Sequence, residues 1–330
     1  MSAAPGRSQA SSHRSAGYES SPVTLIELIE SGAQQLTDAK LSFGHGTTNA
    51  FDEAAWLVLW SLGLPLDTPL DGEDSKANQP VALVGAGKAA SILEARIKTR
   101  KPAAYLTQEA WLQGVAFYVD ERTIVPRSLI AELIVDGSID YWLKESTHTV
   151  LDLCTGNGSL AVIAAMTYPD VIVTGSDLSA DALAVARINV DKHALQERIA
   201  LVESDGFTAQ ALKARSPFDL ILCNPPYVNA QSMADLPAEY KAEPTMALSG
   251  NQAGGTDGMD FIRTVLKDAP QLMAQGGVLV LEIGNERMHF EAAFPALEVV
   301  WLETSAGEDQ VLVVTCEALL RTFEPDGQGT

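Results

Sequence analysis

The sequence predicts an α/β fold built on an open, mostly parallel sheet, and two observations carry this prediction. Short apolar runs typical of buried strands alternate with helical segments over the second half of the chain. Two of these runs end in residues that stop a strand and present polar groups: a Gly-x-Gly turn at 156–158 and an Asn-Pro-Pro-Tyr sequence at 224–227. Because ligands of open α/β sheets bind at the carboxyl ends of the strands, a functional site is expected there.

The first hundred residues predict a small helical domain. Helical periodicity covers residues 23–29 and 52–62, and a third helix is predicted from the Gly-Ala-Gly-Lys sequence at 85–88, which lacks the phosphate-loop spacing. Trp56 and Trp60 have the i, i+4 spacing of one helix face and are expected in the core. The expected organisation is a disordered tail at 1–21, a helical substrate-recognition domain at 22–104, a hairpin linker at 105–127 and a catalytic domain at 128–330.

The remaining elements follow in a regular order. Aromatic and β-branched residues at 108–125 predict a hairpin, and residues 128–143 predict the first helix of the catalytic part. Five strands then alternate with helices, and a last pair without an intervening helix predicts an antiparallel hairpin at the sheet edge. The predicted strands are 149–153, 171–175, 199–202, 218–223, 277–283, 297–302 and 310–316.

The Asn-Pro-Pro-Tyr sequence is the most informative feature of the chain. Two consecutive prolines end the strand at 218–223, because proline lacks the ladder N–H and fixes φ. The side-chain oxygen of Asn224 and the carbonyl of Pro225 can each accept a hydrogen bond from a planar NH2 group, and Tyr227 can pack on it. This corner suits an amino group that is held still while it attacks. For an isolated Asn-Pro-Pro, an ordinary turn after a strand is the alternative.

Three earlier strand ends carry residues suited to a nucleoside. Glycines in the first turn let backbone N–H groups approach a ligand at a helix N-terminus. The acidic residue after the second strand can accept both ribose hydroxyls, and the carboxylate after the third can accept an adenine amino group beneath an aromatic ring. The expected cofactor contacts are Asp152, Thr155, Gly156 and Gly158 at the first strand end, Asp177 at the second, Asp205 and Phe207 at the third, and Asn224 at the fourth.

A nicotinamide-dependent dehydrogenase could contain the first two of these units. Ala161 occupies the place of the third glycine of the dinucleotide pattern, but that pattern allows alanine, so the dehydrogenase is not excluded on this point. The ordered set of four motifs is stronger evidence. It resembles the S-adenosylmethionine-dependent methyltransferases whose last motif handles a planar amine.

Further motifs narrow the resemblance to the HemK/PrmC/PrmB protein-glutamine methyltransferases. They include Phe-Tyr-Val-Asp-Glu-Arg at 117–122, Val-Pro-Arg-Ser at 125–128 and Leu-Pro-Ala-Glu-Tyr at 236–240, and the match covers roughly residues 83–320. The first two are closest to the PrmB branch, which modifies a large-subunit ribosomal protein (uL3). The resemblance implies a class I methyltransferase fold, with a Rossmann-like seven-stranded sheet and a small N-terminal helical domain.

The same resemblance implies the reaction and its residues. S-Adenosylmethionine is the expected cofactor, and its methyl group is expected to pass in line to a glutamine side-chain nitrogen. Asn224, Pro225 and Tyr227 are the expected catalytic residues, and they bind the substrate together with Pro226. Two departures from the family stand out: an apparent short insertion at 249–253, and glycine at 206 where some relatives have an aromatic residue, which leaves adenine stacking to Phe207 or a neighbouring loop.

Charge and composition bear on partners and location. The net charge is −21; residues 101–330 hold 14 Lys+Arg against 32 Asp+Glu, and residues 1–100 hold 8 against 11. So acidic a surface disfavours duplex DNA or folded RNA and favours a basic ribosomal protein, free or in early assembly particles, although solubility or a high-salt habitat would also explain it. Three cysteines without metal-ligand spacing, no apolar stretch of transmembrane length and no secretory signal indicate a cytoplasmic protein without a metal or membrane. A nucleic-acid adenine methyltransferase and a non-catalytic ribosome-assembly protein are the alternatives.

Overall fold

Three helices form the N-terminal part of the computed structural model, which describes residues 23–323. These are α1 (Leu25–Asp38), α2 (Ala50–Leu62) and α3 (Leu83–Thr99). Thr24 and Glu27 form a capping box at the start of α1, and Gly63, with φ 69°, ends α2 in the left-handed conformation. The predicted helices are confirmed and are longer than predicted. The tail predicted at 1–21 lies outside the described residues.

The two tryptophans of α2 differ in burial. Trp56 is packed in the core of the helical part as predicted. The prediction for Trp60 is wrong, because this side chain is 40% exposed and lines a surface groove with Val84 and Ile92 of α3. The i, i+4 spacing puts both rings on one face of α2. Trp60, however, lies in the last turn of α2, where α3 covers its ring only in part.

The linker contains a short helix, α4 (Ala103–Thr107), followed by the predicted hairpin, β1 (Ala110–Leu112) paired with β2 (Val115–Phe117). The single helix predicted at 128–143 is wrong. Helix α5 (Ile130–Val135) ends at a turn in which Gly137 has φ 77° and Asp136 Oδ1 accepts a hydrogen bond from Ser138 N, and only a 3-10 turn follows at 140–142. Division of the chain into domains near residues 104 and 127 stays a prediction.

A seven-stranded sheet forms the second part, in the order β5-β4-β3-β6-β7-β9-β8. The first five of these strands are parallel, and β9 runs antiparallel to both β7 and β8, so the predicted edge hairpin is confirmed. The bounds are β3 (Thr149–Leu153), β4 (Ile172–Asp177), β5 (Ile199–Glu203), β6 (Phe218–Cys223), β7 (Met273–Glu282), β8 (Val300–Thr304) and β9 (Gly307–Thr315).

Helices cover both faces of the sheet, and two apolar cores lie between them and the strands. Strand β3 is buried because it lies in the middle, between β4 and β6. The chain reverses direction across the sheet at this strand, so a crevice opens at the carboxyl ends of β3 and β6. The helices are α6 (Ser159–Thr167), α7 (Ala180–Lys192), α8 (Gln210–Lys213), α9 (Ala230–Asp235), α10 (Thr245–Leu248), α11 (Asp260–Asp268), α12 (Arg287–Ala293) and α13 (Cys316–Phe323).

Within residues 23–323, no helix has both the length and the apolar character needed to cross a membrane. Over the same range, no group of His, Cys, Asp or Glu side chains is arranged to hold a metal ion.

Candidate active site

Two adjoining cavities lie at the carboxyl ends of the central strands. The first, called the strand-end cavity, is formed by the turns after β3, β4, β5 and β6 and is covered by two further segments, at 122–124 and 244–252. The second, called the corner cavity, surrounds the Asn-Pro-Pro-Tyr sequence and includes Arg127, Tyr240 and Glu282. Asn224 lines both cavities. Ile124 and Ala247 also line both, so the two cavities meet at these three residues.

The glycine turn after β3 is held by Asp152, which is fully buried. Its Oδ2 accepts hydrogen bonds from Thr155 Oγ1 and Ala161 N, while Oδ1 has no hydrogen-bond partner among the described residues. Burial raises the pKa of this carboxyl to about 7 despite those two bonds. Asp152 and Thr155 do not line the strand-end cavity, whereas Gly156 does. Their geometry supports a role in shaping the turn.

Gly158 has a packing role in the same turn. It adopts φ 80° at the start of α6, and a Cβ built on it would lie 3.1 Å from Cβ of Ala186 on α7. Only glycine therefore allows α6 to begin this close to α7. Like Asp152, Gly158 is absent from the cavity lining, and its geometry supports a role in the position of the turn.

Asp177 and Asp205 both line the strand-end cavity, as expected of ribose and adenine contacts. The two oxygens of Asp177 accept hydrogen bonds from Gly156 N and Ser179 N, each 2.9 Å long, so the carboxylate joins the ends of β3 and β4. Burial raises its pKa, against those backbone bonds. Asp177 thus orders the glycine turn and also presents a carboxylate to the cavity.

The aromatic residue of this cavity is Phe261 and not Phe207. Phe207 is 4% exposed and packs in an apolar core outside the cavity lining, so its contact with adenine stays a prediction that this geometry does not support. Phe261 on α11 lines the cavity, and its ring lies 3.7 Å from the position of a Cβ built on Gly206. The glycine at 206 therefore leaves space beside the Phe261 ring. Sequence gave no direct signal for Phe261, since it is 54 positions beyond Phe207 on another element.

Tyr227 is fixed in the corner cavity from two sides. Its hydroxyl lies 3.4 Å from Oε1 of Glu282, to which it donates, and its ring packs over Gly284, where an added Cβ would be 2.6 Å from the ring. Burial raises the pKa of the phenol, and the nearby Glu282 charge adds to this, so the hydroxyl stays protonated. Tyr227 therefore serves as a fixed wall and donor. Proton removal from it has no support in this environment.

Glu282 was not predicted as a site residue, yet it is a buried carboxyl in the corner cavity. Burial raises its pKa, while hydrogen bonds from Ser128 Oγ (2.6 Å) and Leu129 N (2.9 Å) act in the opposite direction. It lies at the end of β7, directly after four apolar, buried residues at 278–281. A charged residue at the end of such a strand is the signal that could have identified it.

The segment after the Asn-Pro-Pro-Tyr sequence lies across both cavities. Its two ends are joined at Val228, whose N donates to Leu248 O and whose carbonyl accepts from Gly250 N. Asp260 Oδ2 then accepts from Ala253 N and Gly255 N, which fixes the apparent insertion at 249–253. As a result, Gln252 from that insertion contributes to the lining of the strand-end cavity.

Glu243 attaches this segment to the rest of the chain. Its side chain is fully buried and pairs with both terminal nitrogens of Arg127 at 2.7 and 2.8 Å, accepts from Val125 N, and lies 3.5 Å from Nε2 of His45. Burial by itself would raise the pKa of Glu243, but His45 and Arg127 outweigh it and lower the pKa to about 2. The helical part, the linker and the cavity-covering segment are thereby joined at one carboxylate.

Comparison with known proteins gives consistent relatives. The family described as Methyltransferase small domain matches residues 139–239. The ribosomal protein uL3 glutamine methyltransferase of Burkholderia pseudomallei is 49% identical, over 90% of this chain and 95% of that protein. The protein of the same name from Bordetella pertussis is 47% identical, over 90% and 96%. Among solved structures, a methyltransferase from Pyrococcus furiosus is 18% identical with a TM-score of 0.43, over 68% of this chain and 97% of that one.

Proposed function

This chain belongs to the family of ribosomal protein uL3 glutamine methyltransferases, and from that premise we propose how its site works. The fold is that of class I methyltransferases, and S-adenosylmethionine is the methyl donor. The reaction transfers a methyl group to the side-chain amide nitrogen of a glutamine in uL3. The observation that carries the proposal is that Asn224 lines both the strand-end cavity and the corner cavity.

The residues that line the strand-end cavity suit the polar and aromatic parts of S-adenosylmethionine. Gly156 offers a glycine turn, Asp177 and Asp205 offer carboxylates to hydroxyl and amino groups, and Phe261 offers a ring beside the open space at Gly206. When bound, this cofactor supplies a methyl group activated by a positively charged sulfur. The two carboxylates in the cavity agree with a ligand that carries positive charge.

The corner cavity would hold the acceptor amide. An amide nitrogen is a poor nucleophile, because its lone pair is delocalised into the carbonyl. Asn224 Oδ1 and the Pro225 carbonyl would each accept one N–H of that nitrogen, which fixes its direction toward the strand-end cavity. Positioning of this kind can contribute roughly 7 to 11 kcal/mol. Tyr227, held by Glu282 and Gly284, would limit rotation of the amide plane.

The partner is proposed to be uL3 before its final burial in ribosomal RNA. The acidity of residues 101–330, 14 basic against 32 acidic residues, would attract a basic protein and repel RNA. Free uL3 or early assembly particles would then be better substrates than finished subunits. Ribosomal proteins are made in the cytoplasm, so this is the compartment we propose for the reaction.

The experiment measures labelled methyl transfer from S-adenosylmethionine to free uL3, to early particles and to mature subunits lacking the modification, each at two salt concentrations. We expect the highest rate on free uL3 or early particles, a rate that falls as salt rises, and mass spectrometry placing one methyl group on a glutamine. The variant Asn224→Ala should lose activity by roughly 100- to 1000-fold while it still binds the cofactor.

Contrary results are equally definite. Preferential labelling of DNA or naked RNA would replace this function by nucleic-acid amino methylation. Binding of uL3 without any transfer by the unaltered chain would favour the assembly-protein alternative. Equal rates on all three uL3 forms would retain the reaction but reject charge and accessibility as the basis of substrate choice.

A further inference from the structure

Acidic side chains outnumber basic ones in the lining of the strand-end cavity. Two are carboxylates, Asp177 and Asp205, and one is a guanidinium, Arg122. S-Adenosylmethionine is itself a mixed ligand, because its amino-acid end carries a carboxylate as well as an ammonium group. Neither aspartate can accept that carboxylate without repulsion. Among the described residues that line the cavity, Arg122 is the single cationic group available to it.

The geometry of Arg122 leaves part of its guanidinium available. Asp120 holds the backbone N, Nε and Nη2 of Arg122 at 3.0, 2.9 and 2.6 Å, and Tyr118 donates its hydroxyl to the same carboxylate at 2.8 Å. The remaining nitrogen, Nη1, makes no hydrogen bond to any residue in the range 23–323. The side chain is 37% exposed, so a ligand in the cavity can reach it.

The position of Arg122 relative to the glycine turn is also fixed. Asn189 on α7 accepts a hydrogen bond from Tyr118 N at 2.7 Å and donates through Nδ2 to Tyr118 O and to Asn157 O. Asn157 belongs to the turn after β3. One buried side chain therefore ties the linker segment that carries Arg122 to the turn that borders the cofactor.

We propose that Arg122 binds the carboxylate of the amino-acid end of S-adenosylmethionine, with Asp120 fixing the guanidinium in direction. An arginine matches a carboxylate better than lysine does, because its N–H groups are planar and fixed in direction. The linker between the helical and catalytic parts thereby becomes part of the cofactor site. The proposal depends on the cofactor and is independent of the identity of the acceptor protein.

Calorimetry with two ligands tests this directly. S-Adenosylmethionine and its decarboxylated analogue, which lacks only the carboxylate, are titrated into the unaltered chain, into Arg122→Gln, into Arg122→Lys and into Arg263→Gln. The last is a matched control, because Arg263 also pairs with a nearby aspartate, Asp257, is partly exposed and lies outside the cavity lining. No acceptor is present, so the result does not depend on the proposed methylation of uL3.

We expect the unaltered chain to bind the full cofactor about 10- to 100-fold more tightly than the analogue. Arg122→Gln should lose that preference and bind both ligands about as weakly as the unaltered chain binds the analogue. Arg263→Gln should keep the preference, and Arg122→Lys should restore part of it. An Arg122→Gln protein that still prefers the full cofactor, or that loses affinity for both ligands equally, would overturn the assignment.

Discussion

Replacing Glu243 by glutamine should destabilise this protein far more than an ordinary ion-pair change. The substitution keeps the shape of the side chain but removes the charge that faces Arg127 and His45 in a fully buried position. The difference between a carboxyl with its ordinary pKa of 4.5 and one with a pKa of about 2 is worth about 3 kcal/mol of folding free energy at neutral pH. Loss of one partner of a buried ion pair costs about 3 to 5 kcal/mol in other proteins, which agrees.

The pH dependence has a definite sign. Because the folded-state pKa of Glu243 is lowered, its contribution is fully present above about pH 4.5 and is lost as the pH falls toward about 2. The difference in stability between the unaltered chain and Glu243→Gln should therefore be constant from pH 7 to pH 5 and shrink below that. Urea unfolding followed by circular dichroism measures the unfolding free energy of each protein at each pH. Equal m-values for the two proteins show that the comparison concerns stability alone.

The matched control is Glu121→Gln. Glu121 pairs with Lys101, but both side chains are about half exposed, so its loss should change the unfolding free energy by no more than about 1 kcal/mol. If Glu243→Gln and Glu121→Gln lower the unfolding free energy by the same small amount, the charge of Glu243 does not hold these segments together. The loop that it holds lines both cavities, so a higher KM for the acceptor should accompany the loss of stability.

Four further substitutions separate the roles of the site residues. Asp177→Ala should weaken S-adenosylmethionine binding by tenfold or more, which calorimetry checks, and an unchanged affinity would remove Asp177 from the cofactor site. Phe261→Ala should weaken cofactor binding in calorimetry, because its ring lines the cavity. Phe207→Ala should instead lower the unfolding free energy in urea by about 3 to 5 kcal/mol, because its ring is buried. The reverse pattern would show that Phe207 contacts the cofactor. Gly284→Ala would place a Cβ against the Tyr227 ring, so steady-state kinetics should show a higher acceptor KM with cofactor affinity retained, and unchanged kinetics would exclude a tight fit there.

Strand positions and the motif-bearing strand ends could be predicted from the sequence because both depend on local properties, whereas the order of the strands in the sheet came only from the structure. The apolar run at 218–223 is long enough for one buried strand, and the two prolines after it end that strand in any context. Asn224 therefore lies at the carboxyl end of a strand, whatever the rest of the chain does. Alternation of strands with helices similarly fixes parallel pairing around β3. The break of the predicted helix at 128–143 shows the limit, since one glycine turn at 137 outweighed an otherwise apolar pattern.

Residues brought together from distant segments could be identified only in the tertiary structure. Phe207 and Phe261 are both aromatic, and nothing in their local sequence says which ring enters the core and which borders the cavity. Glu243 lies 116 positions beyond Arg127, and His45 belongs to the helical part of the chain, yet both contact the buried Glu243 carboxylate. Local sequence determines which backbone shape a segment adopts and where its strands end. Burial and charge pairing depend on which segments pack together. Tertiary packing therefore decided that Phe261 borders the cavity, that Arg122 reaches it, and that Glu243 meets Arg127 and His45.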